Sequence, residues 1–410
     1  LKTLCAALMI MIASGTQGKD LSRNEPVKKT SGEFRMEMLD NYIQELIDKS
    51  TPEKPIWNIE KIRSGEPPAW NYIDGCMIKA ILEMYAITKQ DKFLQFADRF
   101  IDFHVNEDGS IRKYDPEEYN IDNVNAGKVL FELYDLTKKE KYRKAIDTVY
   151  SQLKTQPRTK EGNFWHKNIY PNQIWLDGIY MGQPFYMEYE TRFNGKKNYQ
   201  DIVSQICNVE KLMKDAKTGL YYHGYDSSRE AKWCDKTTGL SKNFWLRAIG
   251  WFTMALIDTL DKMDASGHRA DYDKIMNIFR NLIDALIKFQ DESGMWYQIV
   301  DQGARKGNYL ETSGSAIMAY AILKGVRMGF LPAKYKAYGE KAFNGTCGKY
   351  LYKKDGQMTL GGICLVAGLG RPDTRDGSFE YYVSEPIVEN EAKGVAPLLL
   401  AYTEILRYAK

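Results

Sequence analysis

The run Trp175-Leu176-Asp177-Gly178-Ile179-Tyr180-Met181-Gly182 sets a lone carboxylate between an indole and two glycines, where an apolar helical pattern begins. The indole offers a stacking face for a sugar ring. The glycines leave room for a ligand to approach the backbone. Apolar neighbours disfavour the charged form of a carboxyl and so raise its pKa. Together these features read as an acid on a sugar platform. The competing reading is a plain helix N-cap, a common use of Asp. A second carboxylate, Asp122, lies in Tyr119-Asn120-Ile121-Asp122-Asn123-Val124-Asn125, again at a helix start and just before Gly127. Two carboxylates facing one pocket repel each other, which pushes one pKa up and keeps that acid protonated near neutral pH. A helix N-terminus works the other way and favours the ionised form.

His166, in Phe164-Trp165-His166-Lys167, and His223, in Tyr221-Tyr222-His223-Gly224-Tyr225-Asp226, follow equivalent glycine turns, which suits a binding role for both. Neither has a partner at metal-ligand spacing, so no metal is expected. His104 and His268 read as ordinary helix or loop residues. The segment Trp245-Leu246-Arg247-Ala248-Ile249-Gly250-Trp251 opens another apolar helix. Its guanidinium is a fork for a carboxylate and its two indoles can bracket a ring, which with Asp177 suggests a pocket for an acidic sugar.

These residues need helices to hold them. Periodicity predicts helices at about 36–50, 74–89, 91–105, 122–137, 139–154, 177–193, 197–215, 244–264, 271–290, 313–328, 333–347 and 391–409. They alternate between amphipathic patterns, such as Tyr142, Ala145, Ile146, Val149, Tyr150 and Leu153, and patterns apolar or small on several sides. Turns with Gly109, Gly162, Gly219, Gly294 and Gly356, most followed by aromatic residues, punctuate the array. Such a repeat of hairpins forms either an open solenoid or a closed ring. The long Gly- and aromatic-rich loops before the inner helices favour the ring, an all-α (α/α)6 barrel of six helical hairpins forming one domain from 34 to 410. Ring closure would bring Asp74, Asp122, Asp177, the Trp245–Trp251 segment, Thr312-Ser313 and Glu391 to one basin. Asp74 alone also fits an N-cap.

With 44% hydrophobic residues, the 410-residue chain can bury a sizeable core. A net charge of +3 gives no basic stripe for nucleic acid and no acidic tail. The 28 Tyr and 8 Trp exceed what composition alone requires, and sugar stacking is one use for the excess. Lys2, the apolar run Leu4 to Ala13 and the small residues Ala13, Ser14, Gly15 and Gly18 read as a secretory signal over 1–18, with a flexible lead-in over 19–33. That reading places the protein in the periplasm or outside the cell, with no membrane span. Cys76, Cys207, Cys234, Cys347 and Cys364 form neither a disulfide framework nor a zinc pattern, and read mostly as buried thiols.

Tyr-x-Ile-Asp-Asn near 122, Trp-Leu-Asp-Gly-x-Tyr-Met-Gly-x-Pro-Phe at 175–185, Tyr-His-Gly-Tyr-Asp at 222–226 and Trp-x-Arg-x-x-Gly-Trp at 245–251 occur in order along the chain. Gly368-Leu369-Gly370 and Glu389-Asn390-Glu391-Ala392-Lys393-Gly394 follow. The ensemble resembles the unsaturated glucuronyl and rhamnogalacturonyl hydrolases, glycoside hydrolase families 88 and 105. The resemblance implies an (α/α)6 barrel, no metal or other cofactor, and exo-action on the 4,5-unsaturated uronate that polysaccharide lyases leave at a non-reducing end. It makes Asp177 the acid/base and Asp122 the second essential carboxylate. It makes His166, His223, Arg247 and Trp251 pocket residues and Trp175 a stacking wall, with Met181 and Trp245 completing the expected substrate-binding set. Arg247 or His223 would hold the uronate carboxylate. Gln183 and Ile249 depart from the family pattern near the presumed pocket. The expected partner is a small oligosaccharide, bound by a monomer or weak homo-oligomer. A sugar epimerase or a conventional inverting glycosidase would use the same ring, the epimerase through paired His166 and His223.

Overall fold

Every segment expected from periodicity to be helical contains helix. A computed structural model describes residues 31–409; the segment read as a secretory signal, and most of that read as a lead-in, lie outside the described residues. The helices are α1 (Ser31–Lys49), α2 (Ile59–Ser64), α3 (Tyr72–Thr88), α4 (Asp91–His104), α5 (Asp122–Asn125), α6 (Lys128–Thr137), α7 (Glu140–Thr155), α8 (Leu176–Phe193), α9 (Tyr199–Met213), α10 (Leu246–Lys262), α11 (Arg269–Leu286), α12 (Thr312–Arg327), α13 (Lys336–Tyr350), α14 (Phe379–Ser384) and α15 (Ala392–Tyr408). α1 begins at Ser31, inside the segment assigned to the lead-in. The single helix expected over 122–137 is two, α5 and α6. The short α2 and α14 carry too little periodicity to be foreseen.

Burial sorts the helices as the two kinds of pattern imply. In α12 every residue from Thr312 to Gly325 is buried. In α11 the buried residues are Ile275, Met276, Ile278, Phe279, Leu282, Ile283, Ala285 and Leu286, one stripe at helical spacing. The inner helices α3, α5–α6, α8, α10, α12 and α15 pack each against the next, and α15 packs back on α3. The hairpins therefore close into a six-membered ring, with α1, α4, α7, α9, α11 and α13 as the outer layer, rather than stacking into a solenoid.

A repeated backbone bond ties the ring at its mouth. Each of five inner-helix starts donates an N–H to the loop that leads to the next inner helix. Ile121 N reaches His166 O at 3.1 Å, Leu176 N reaches His223 O at 3.0 Å, Leu246 N reaches Gln298 O at 2.9 Å and Thr312 N reaches Gly362 O at 2.9 Å. Ala392 N closes the circle on Trp57 O at 2.9 Å. These bonds satisfy N–H groups that a helix start leaves without partners.

Three antiparallel two-stranded ribbons accompany the helices: β1 (Gln173–Trp175) with β2 (Gly224–Asp226), β3 (Leu351–Lys354) with β4 (Gln357–Leu360), and β5 (Ile363–Cys364) with β6 (Ile387–Val388). The turn joining β3 to β4 holds Asp355 at φ 51° and Gly356 at φ 80°, the left-handed pair that a two-residue hairpin requires. The five cysteines among the described residues are free, four of them buried. No helix among the described residues is long and apolar enough to cross a membrane.

Candidate active site

The β1–β2 ribbon builds the site. Its register sets Trp175 opposite Gly224, and the bond from Leu176 N to His223 O continues it into the first turn of α8. Asp177 and His223, far apart in sequence, are thereby side by side: His223 Nε2 lies 3.0 Å from Asp177 Oδ2. On its other side His223 Nδ1 meets the Tyr382 hydroxyl at 2.7 Å. Burial holds the Tyr382 phenol well above its ordinary pKa, so it keeps its proton. If that phenol donates to Nδ1, the imidazole proton sits on Nε2, toward Asp177.

A second zipper carries Asp122. His166 N donates to Gln173 O at 2.8 Å while His166 O accepts from Ile121 N. This brings His166 Nε2 to 3.6 Å from Asp122 Oδ1, and Lys167 Nζ to 2.8 Å from Asp122 Oδ2. Burial disfavours the Lys167 ammonium, but Asp122 outweighs it and raises that pKa. The imidazole of His166 stacks on Trp175 with ring centres 4.4 Å apart, and Tyr170 stacks on Trp175 at 4.7 Å.

Asp122, Asp177, His166, Lys167, Tyr170, Trp175 and Met181 line one cavity of about 200 Å³, together with Glu60, Tyr72, the Val366–Gly368 loop and Arg375. His223 and Trp245 stand behind this wall, at 0% and 1% exposure. Trp245 packs on His223 and Tyr382 and donates its indole N–H to Gln298.

Several expectations are corrected. Arg247 does not line the cavity. Its guanidinium is buried and donates to Ser313 Oγ and to the carbonyls of Cys364 and Leu365, so it anchors the loop that forms the cavity wall. Trp251 stacks on Tyr180 inside the barrel, with ring centres 5.0 Å apart. Asp74 is a structural hub. It accepts from the Trp57 indole, Asn58 and Asn71, and burial pushes its pKa up to about 6. Glu391 accepts from Ile59 N and pairs with Lys393, so it too is occupied within the ring. Gln183 bonds to Gln205 and Ile249 is core, both away from the cavity. The glycine after Asp177 makes room for a side chain rather than a ligand: a Cβ on Gly178 would lie 2.7 Å from His166 Nδ1.

The electrostatics also differ from expectation. Burial pushes the Asp177 carboxyl up, but His223 and His166 beside it outweigh burial and hold it below the usual carboxylate range. His166 itself is pushed down to about 4 by burial, so it is neutral near pH 7 and its share of that pull is absent there. Asp177 thus rests ionised, and its protonation waits on a change in the cavity.

Lys167, Arg375, Tyr72 and Tyr382 are site residues the sequence reading did not single out. Lys167 had a signal, its place directly after His166. Arg375 lies in a loop with no periodic pattern and reaches the site only through the fold.

The arrangement offers one acid poised by a histidine, a second carboxylate held by a lysine, an aromatic wall and a further cation, a set suited to a small acidic sugar. A glycoside hydrolase structure of family 105 from C. acetobutylicum ATCC 824 superposes with TM-score 0.82 at 45% identity, covering 90% of this chain and 98% of that one. Protein Atu3128 of Agrobacterium fabrum is 37% identical over 237 residues, 56% of this chain and all of that protein. Unsaturated rhamnogalacturonyl hydrolase YesR of Bacillus subtilis is 26% identical over 273 residues, 65% of this chain and 73% of that protein. Residues 43–409 match Glycosyl Hydrolase Family 88, and this chain, with its closed ring of six hairpins and paired carboxylates, belongs to that family of glycoside hydrolases.

Proposed function

We propose that the enzyme removes a 4,5-unsaturated uronate from the non-reducing end of lyase-generated oligosaccharides, with the unsaturated rhamnogalacturonan disaccharide as the minimal substrate. The carrying observation is that Asp177 shares one small cavity with Asp122 and with two cations, Lys167 and Arg375. Similarity to a protein named unsaturated rhamnogalacturonyl hydrolase supports the choice of substrate. Export to the periplasm or medium belongs to the same proposal, supported by the apolar run Leu4 to Ala13.

The chemistry follows from the substrate. Its C4=C5 bond is a vinyl ether with the ring oxygen and is conjugated to a carboxylate. Asp177 delivers a proton to C4, and positive charge develops at C5 and the ring oxygen. Water adds at C5 and gives its proton to the Asp177 carboxylate, leaving a hemiketal and restoring the acid. The hemiketal opens to a C5 ketone, and the hydroxyl freed at C1 expels the next sugar as its alcohol. Lys167 is already paired with Asp122, while Arg375 is only loosely held, 3.9 Å from Glu385. Arg375 is therefore the seat for the uronate carboxylate. A bound uronate brings negative charge and excludes water, and both raise the Asp177 pKa toward the protonated form. The Tyr382–His223 pair stands behind Asp177 and holds its carboxylate in place. Asp122, steadied by Lys167, orients the attacking water. The paired-histidine epimerase reading is weaker, because His223 is fully buried behind Asp177.

The test is loss of the alkene's ultraviolet absorbance from an unsaturated disaccharide. Wild-type enzyme removes that absorbance and leaves the saturated uronide intact. Asp177→Asn remains folded by circular dichroism and loses at least about a hundredfold in turnover. Equal cleavage of the saturated uronide, or near-normal activity of Asp177→Asn, overturns the proposal.

A further inference from the structure

Beside the reaction cavity lies a second, larger one of about 290 Å³. Three loops wall it: Ile169–Gln173, Asp226–Trp233 and Gly370–Asp376. The two cavities share Tyr170 and Arg375. An oligosaccharide whose end is seated beside Asp122 and Asp177 has to leave past the rim, and these two residues are rim to both spaces.

The walls suit a polyhydroxylated ligand rather than a bare ion. Acids and cations nearly balance: Asp226, Glu230, Asp373 and Asp376 against Lys232, Arg371 and Arg375. Much of that charge is already committed. Asp226 accepts from Ser228 N, Ser228 Oγ and Ala231 N, at 2.9, 2.7 and 2.7 Å. Asp373 pairs with Lys232 at 2.6 Å, and Asp376 accepts from Ser378 N. Glu230 remains as an acceptor and Arg371 as a donor, both exposed. Ile169, 53% exposed, adds an apolar patch of the sort that packs against the C–H face of a sugar ring. The aromatic cluster of Tyr170, Trp175 and Trp233 runs as one wall from the reaction cavity to this space.

We propose that this outer cavity is a subsite for the third sugar of the substrate, counted from the unsaturated end, so that the enzyme prefers trisaccharides and longer products to disaccharides. The inference rests on the hydration reading above and deepens it. The experiment measures kcat/KM by absorbance loss for an unsaturated disaccharide and for the trisaccharide of the same series, with wild type, Arg371→Ala and Ile169→Ala. Both substituted side chains are exposed, so the variants fold. The expected ratio of trisaccharide to disaccharide is about tenfold in wild type, a single well-made contact being of that order. It falls toward one in both variants, through KM. Turnover of both substrates with a wild-type ratio of one or less, or a ratio unmoved by both variants, overturns the subsite alone. Absorbance loss from neither substrate overturns the hydration reading and the subsite with it.

Discussion

His166 shows how one buried side chain couples the site to stability. Its imidazole is stacked on Trp175 and 3% exposed, and burial lowers its pKa to about 4 from the ordinary 6.5. Above about pH 6.5 the group is neutral in both folded and unfolded chains and makes no pH-dependent contribution. As pH falls from there toward 4 the unfolded chain takes up a proton that the folded one refuses, so folding weakens. His166→Asn removes that term. Urea unfolding at pH 7 and pH 4.5 is expected to show the wild type losing about 2–3 kcal/mol more than the variant between the two. Asp74, raised to about 6, slopes the opposite way in both proteins and cancels in the comparison. At this scale the sequence was legible where a residue type has few uses. Asp122, Asp177 and Trp175 stood out and do meet. Arg247 stood out equally and serves backbone carbonyls instead, because a guanidinium fits a carbonyl pair as well as a carboxylate.

At the scale of elements, the first turn of α8 is set by what packs against it. Gly178 faces the His166 ring, and Ile121 also lies within 3.2 Å of where its Cβ would be. The ring cannot retreat without leaving Trp175. Gly178→Ala is expected to lower kcat about tenfold or more while the helix content seen by circular dichroism stays unchanged, the overpacking costing about 1–3 kcal/mol. A normal kcat in that variant would mean that the stack tolerates displacement. The long helices were legible because their apolar residues repeat every turn. The strands of the β1–β2 ribbon, three residues each, were not. Their pairing comes from loops that the ring brings together, and nothing local demands it.

For the whole molecule, closure between α15 and α3 turns six hairpins into one basin. The seam holds a buried charge group: Lys393, 0% exposed, lies 2.9 Å from Glu391 and also pairs with Glu60. Lys393→Met leaves the buried Glu391 carboxylate without its cation, and breaking such a pair costs about 3–5 kcal/mol. Thermal unfolding is expected several degrees lower; an unchanged midpoint would mean that the seam does not depend on this pair. What the sequence determined by itself is the alternation of amphipathic and wholly apolar helices, hence the hairpin array, and the carboxylates at the inner-helix starts. These follow from spacings within one helix, which the chain carries locally. The tertiary structure alone decided which of those carboxylates face the cavity, that His223 stands behind Asp177 and holds it ionised, and that Arg375 rather than Arg247 reaches the pocket. Each depends on side chains brought together by ring closure, and pKa values answer to such neighbours and not to position along the chain.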